Sequence, residues 1–440
     1  MTATRLSTNV VPRIPCLCLA LLLPLTLAAA RRPQYGGSLR IEMAASFDNL
    51  DPSESPSDGA GAAAKDNVLT QVFETLVQLD NEGQPRPLLA ASWTHDPARK
   101  KWLFAVRPNV TLHNGAPWEP PGGAIAIDDR RPIEEILRNL AKPQSAIAVR
   151  MPDGTLEGTG PFRVTRWEPR KFITLEAFDH YWGGRPFLDQ IEIHLGRSLH
   201  DQGLDFDLGK ADAVEIPLTD VKRIQQRGAR VALSLPVETL ALVFDNPKPE
   251  LDRVREALAW SVDRAAIHSV LLQKQGEICG ALMPQWLSGY AFLFDRDRNV
   301  ARAKELASNP PPLTLVYDNQ SSLIRSIAER IMLNAADAGI TIRPATGPAG
   351  DLHIALLQIR TFDPRLALED LATALLSPTV GTSSSEPANL YAMERALIEV
   401  RRLIPLFQLP IAVELNADVR NWPVRQARWQ DVWMDERAKP

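Results

Sequence analysis

The segment GTGPFRVTRWEPRKFITLEAFDHYWGGRPFLDQIEI, residues 158–193, leaves little room for helix. Gly158, Gly160 and Pro161 open it. Glycine loses the most backbone entropy when held in a helix, and proline lacks the amide donor and clashes with the preceding turn. Phe162 and Val164 then alternate with Arg163 and Thr165, the two-residue period of a half-buried strand. Ile173, Leu175 and Ala177 alternate with Thr174 and Glu176 in the same way. Trp182, Gly183, Gly184 and Pro186 make a rigid turn, after which Ile191 and Ile193 open a third strand. The segment reads as a β-meander with aromatic core residues.

The first residues read as a secretory signal. Arg5 and Arg13 precede an apolar run from Cys16 to Ala30 that ends in Ala28-Ala29-Ala30, which predicts cleavage after Ala30. The run is shorter than the roughly 20 residues a membrane span needs, and Pro24 interrupts it. Cys16 and Cys18 lie at its start, where a lipoprotein signal would place its cysteine at the end. Removal of this segment takes two Arg and no acid, so the formal net charge of −4 becomes more negative by two. That balance argues against a nucleic-acid partner, which needs a basic face. It also leaves Cys279 alone, so no internal disulfide is expected, and a chain this long buries enough surface without one.

Downstream, the periodicity alternates between strand and helix. Leu240–Asn246, LALVFDN, is an apolar strand. Val254, Ala257, Leu258, Ser261 and Val262 share one helical face, predicting a helix over about 251–269. Leu313–Tyr317 reads as a strand, Leu323–Ala338 as an amphipathic helix closed by Gly339, and Ile340–Ile342 as a strand. That spacing is a βαβ unit and implies a parallel pair. Leu352–Ile359 is a further strand, Leu366–Leu376 and Leu390–Arg402 are helices, and a last strand starts near Ile404. The fold class is α/β.

Several motifs resemble, in order, those of the family 5 extracytoplasmic solute-binding proteins, the peptide- and nickel-binding receptors of ABC importers. They are the LRIE strand ending in Leu50-Asp51-Pro52, the RPNVTLHNG turn at 107–115, and GTGPF followed by Trp167 and YWGGRPFLDQI. FDN at 244–246 with VREAL at 254–258 and DRAAI at 263–267 completes the match. After HNGAPW the resemblance breaks, because EPPGGAIAIDDRRP leads at once to an apparent helix, Ile133–Leu140. The resemblance implies a two-lobe periplasmic-binding-protein type II fold with a reduced extra subdomain. Residues 1–30 are then the signal, 31–239 the first lobe with the reduced subdomain at 53–149, 240–404 the second lobe, and 405–440 a return to the first. The family's subdomain lies outside the ligand cleft, so binding would survive its reduction.

The resemblance also implies where a ligand sits. Ser46 and Phe47 precede the L-D-P turn, Phe244 and Asn246 end the apolar strand, and Phe362 and Asp363 form the F-D-P turn. In peptide-binding members a Trp and an acid that takes the α-ammonium precede that turn, and here Leu357 and Arg360 stand at those positions. A cation in place of the anion implies poor binding of free-amine peptides and better binding of an anionic or neutral solute, since Arg grips carboxylates or phosphates with two hydrogen bonds. Nothing points to catalysis or a cofactor. Seven scattered His show no metal-ligand spacing, and there is no G-x-S-x-G elbow. Gly203–Lys210 fails as a phosphate loop, because Ala211 stands where a hydroxyl is needed. Asp263 and Arg264 are expected in a helix-surface ion network. The expected function is a periplasmic, monomeric, non-enzymatic receptor that passes a small molecule or peptide to an ABC permease. The alternative is a sensor or interaction module without transport.

Overall fold

The computed structural model describes residues 32–440 except 57, 246–248, 291–292, 294–296, 376–385, 400–402, 426–427 and 436–440. The expected signal and Asn246 therefore lie outside the described residues. Arg32 and Pro33 have no regular structure, and the compact unit described below begins at Gln34.

Strand β1 (Ser38–Glu42) leads to helix α1 (Gly59–Leu69), whose N-cap Asp58 accepts from the Gly61 amide. Strands β2 (Ala90–Asp96), β3 (Lys101–Val106) and β4 (Ala124–Asp128) form a small antiparallel sheet, and α2 (Ile133–Leu140) follows. Ile136 and Leu137 of α2 pack with Leu89, Phe104 and Val110 in the core of this subdomain. The expected meander is present as β5 (Phe162–Glu168), β6 (Phe172–Ala177) and β7 (Gln190–His194), all antiparallel. Then come α3 (Leu199–Asp207), β8 (Ala213–Glu215), the 15-residue β9 (Arg230–Phe244) and α4 (Asp252–Ser261). The expected βαβ unit appears as β10 (Leu313–Val316), α5 (Ser322–Asp337) and β11 (Ile342–Pro344), with Leu313 and Ile342 in parallel register. Strand β12 (Leu352–Gln358), helices α6 (Pro364–Ala374) and α7 (Pro387–Glu399) and strand β13 (Leu403–Leu415) complete the frame.

Among the described residues the main sheet has eleven strands, ten of them in the order β11-β10-β12-β9-β13-β8-β1-β7-β6-β5; the eleventh, Glu277–Ile278, pairs with β13 off this path. The halves of this sheet are two lobes, and β9 and β13 cross between them. In the second lobe, Leu240, Leu242 and Phe244 of β9 face one apolar core, and Ala241 and Val243 face another, so both sides of the strand are covered. The first lobe has its own core around Leu39, Ile41, Phe162, Ile173 and Ile191. Ile216, Leu218, Val221 and Ile224, expected in the first lobe, pack with the second-lobe core.

Two expectations change. The helix at 251–269 stops at Ser261, because Val262 is extended and Asp263 starts a new turn by accepting from the Ala266 amide at 2.9 Å. Arg264 is not on the surface. It is 1% exposed and donates to the carbonyls of Ala259 and Pro405, the latter on β13. A guanidinium is buried here because carbonyl oxygens meet its donors.

Candidate functional site

A cavity of about 890 Å³ lies where the lobes meet. Its walls come from α1 and the loop after it, the end of α2, the Tyr181–Gly183 turn, the crossing strands at Ser234, Val237 and Ile411, residues 358–362, α6, and residues 422–425 and 428–430. Both lobes and the small subdomain of β2–β4 and α2 contribute. Arg138, Ala141, Lys142 and Gln144 of the subdomain stand in the wall, so this part of the chain is not outside the cleft as expected.

The meander reaches the cavity through a buried acid. Glu74 is 4% exposed and accepts from Thr159 Oγ1 at 2.8 Å, Tyr181 OH at 2.8 Å and Trp182 Nε1 at 2.9 Å. Burial pushes its carboxyl up to about 7, against the pull of these donors. The Arg107 guanidinium lies 4.6 Å over the Trp182 ring. The glycines before the meander serve close approach. A Cβ on Gly158 would lie 2.0 Å from the Val72 carbonyl oxygen, and one on Gly160 would lie 2.5 Å from that of Gln71. Glu74 was not among the expected site residues. Its signal in the sequence is a lone acid inside the apolar run Val72–Val77.

The expected ligand residues divide. Arg360 and Phe362 line the cavity, and the Phe362 ring lies 5.4 Å from that of Trp286. Phe47 is instead a core residue, 2% exposed and stacked 5.3 Å from Trp167. Phe244 is buried in one second-lobe core under the Arg255 guanidinium, and Leu357 in the other. Strand alternation explains Leu357: its neighbour Gln358 takes the cavity side. Ser46 is half-buried, with its carbonyl against Gly61, and is not on the cavity wall. Asp363 is 1% exposed and works as the N-cap of α6, accepting from the Leu366 amide at 2.9 Å. Its other oxygen lies 2.5 Å from Arg138 Nε of α2.

Arg360 is not a bare cation. Its Nε and Nη2 donate to Asp66 Oδ2 of α1 at 2.9 and 2.6 Å. The repulsion of a ligand amine expected at this position loses its basis, because the guanidinium charge is met across the cleft. The Arg360–Asp66 and Arg138–Asp363 pairs both join the first lobe to the second. Deeper in, Glu238 of β9 accepts from Gln358 Nε2 at 2.6 Å, and burial lifts its carboxyl to about 7. Among the described residues no group of three or more His, Cys, Asp or Glu could hold a metal ion.

The profile of the family described as bacterial extracellular solute-binding proteins, family 5 Middle, matches residues 131–376, more than half of the chain. The chain is 23% identical over 252 residues to the nickel-binding periplasmic protein of Escherichia coli K12, covering 45% of this chain and 47% of that one. It is 30% identical over 125 residues to the oligopeptide-binding protein AppA of Bacillus subtilis 168, covering 28% of this chain and 23% of that one. These alignments span less than half the length of either relative. Solved structures are similar over far more. The periplasmic binding protein DppA of Helicobacter pylori, in complex with the peptide STSA, gives a TM-score of 0.75 at 18% identity, covering 92% of this chain and 99% of that one. AppA of Bacillus subtilis in complex with a nonapeptide gives 0.72 at 15%, covering 92% and 100%. These likenesses establish the two-lobe binding-protein fold. With the profile match, they place this chain among the bacterial extracellular solute-binding proteins of family 5.

Proposed function

We propose that the protein is the extracytoplasmic receptor of an ABC importer, closing its two lobes on a small peptide or related solute and presenting it to a membrane permease. It acts outside the inner membrane, as a monomer and without catalysis. The observation that supports this most directly is the cavity itself. It has the size of a small-molecule site and takes walls from both lobes at the crossing of β9 and β13, where a hinge motion would open it. Relatives with nickel, peptide and oligopeptide in their names set the solute classes to try first.

The test is a thermal-shift and calorimetric screen of di- to pentapeptides, amino acids, dicarboxylates, sugars and nickel complexes on the purified protein, with small-angle scattering on any binder. A ligand at 100 times its dissociation constant stabilises by roughly 2.7 kcal/mol, and the scattering radius falls as the lobes close. A panel in which no solute shifts the melting curve or the radius overturns the reading.

A further inference from the structure

One short segment of the second lobe, residues 358–363, is gripped by α1, by the turn at 80–84 and by α2. Its first residue lies against the start of α1, where a Cβ on Gly59 would be 3.3 Å from Gln358 Cγ. Two turns along α1, Asp66 takes the Arg360 guanidinium at 2.9 and 2.6 Å. The turn at 80–84 reaches the backbone of Phe362. A Cβ on Gly83, which has φ +72°, would be 2.6 Å from the Phe362 carbonyl oxygen. Asp80 shapes that turn, its carboxylate accepting from the Glu82 and Gln84 amides at 3.0 and 2.8 Å. The last residue of the segment, Asp363, meets Arg138 of α2 at 2.5 Å.

We propose that residues 358–363 are a latch, whose two ion pairs to the first lobe bias the hinge towards the closed form before any solute binds. Neither pair lies within one lobe, so opening at β9 and β13 breaks both together. Both are sheltered: the Asp66 and Asp363 side chains are 14% and 2% exposed, and those of their arginine partners 20% and 18%. Pairs on an open surface contribute little, whereas sheltered charges that lose their partners are left costly. The close backbone fit at Gly83 adds contact that water cannot replace. A third attraction works in the same sense. Burial holds the Asp370 carboxyl of α6 above its ordinary range, and Lys142, just past α2, pulls against that burial. Such a latch has a cost and a benefit for solute capture. Solute enters through the open form, so association slows, but less of its binding free energy goes into closing the lobes.

The experiment is small-angle scattering on the purified protein, unfolded and refolded to strip any bound solute. Arg138→Gln with Arg360→Gln is expected to show a larger radius of gyration than wild type. Asp66→Arg sets two guanidinium groups against each other and should widen the protein as well. Asp66→Arg with Arg360→Asp remakes the pair in reverse and should bring the radius back towards that of wild type. Urea unfolding checks that each variant folds, and Asp66→Asn, expected to widen the protein, stands in for Asp66→Arg if that variant does not. A wild-type radius in both the double glutamine variant and Asp66→Asn overturns the latch. So does a charge-swapped protein as wide as Asp66→Arg alone. These measurements need no solute: their failure leaves solute capture standing, and a screen without binders leaves the latch standing.

Discussion

Replacing Glu74 with Gln tests whether the buried carboxyl beneath the YWGG turn holds a proton at neutral pH. The carboxyl moves from 4.5 to about 7 on folding, with burial as the main cause. At about 1.4 kcal/mol per pH unit, that difference corresponds to roughly 3 kcal/mol between folded and unfolded states. The folded value is the higher one. Between the two values the folded state keeps its proton while the unfolded state has lost it, so stability from this group is full below about pH 4.5 and is lost as pH rises towards 7. Gln carries no such proton. Its oxygen still accepts from Trp182 and Thr159, and its amide faces the Tyr181 hydroxyl. The two proteins should therefore unfold alike near pH 4.5, with Glu74→Gln gaining up to roughly 3 kcal/mol relative to wild type by pH 8. Urea unfolding followed by tryptophan fluorescence at half-unit pH steps measures this difference. Parallel curves across the range would mean that Glu74 is ionised in the folded protein and that its three donors outweigh burial.

Two further substitutions separate capping from bridging and contact from conformation. Asp363→Asn keeps a side-chain cap on α6 but strips Arg138 of its carboxylate, so it should cost roughly 1–3 kcal/mol, and Asp363→Ala, which loses the cap as well, should cost about 1 kcal/mol more in thermal unfolding. Gly160→Ala places a Cβ 2.5 Å from one carbonyl oxygen and 2.7 Å from another, and should cost roughly 2–4 kcal/mol in urea unfolding; an unchanged midpoint would show that the backbone gives way.

The elements with one exposed face were legible in the sequence, because their period survives folding. The meander strands and the amphipathic α5 are cases. Strand β9 was read only from Leu240, although it starts at Arg230. Pro236 sits at a register shift against β13, and the bulge hides the continuity. The helix at α4 was overrun because Asp263 looks like an ordinary helical residue until its carboxylate is seen capping a new turn. Of the expected site, Arg360 and Phe362 reach the cavity, since the turn that carries them faces the other lobe. Phe47, Phe244 and Leu357 do not: Leu357 points away from the side its neighbour Gln358 takes, and Phe47 and Phe244 complete apolar cores. Arg360 pairs with Asp66 across a sequence separation of 294, a meeting that no local pattern announces.

Strand β13 lies between β9 and β8, and on the strand path it is the link between the two halves of the sheet. Take it away and two separate sheets remain, β11-β10-β12-β9 and β8-β1-β7-β6-β5. A chain emerging from its amino end can thus build both half-sheets long before residues 403–415 arrive to join them. Until then each half carries an unpaired strand edge, the kind of surface on which other chains dock wrongly. Pairing residue 415 with 213 and 230 spans roughly half the chain, so the joining step is slow by its topology and belongs at the end of folding.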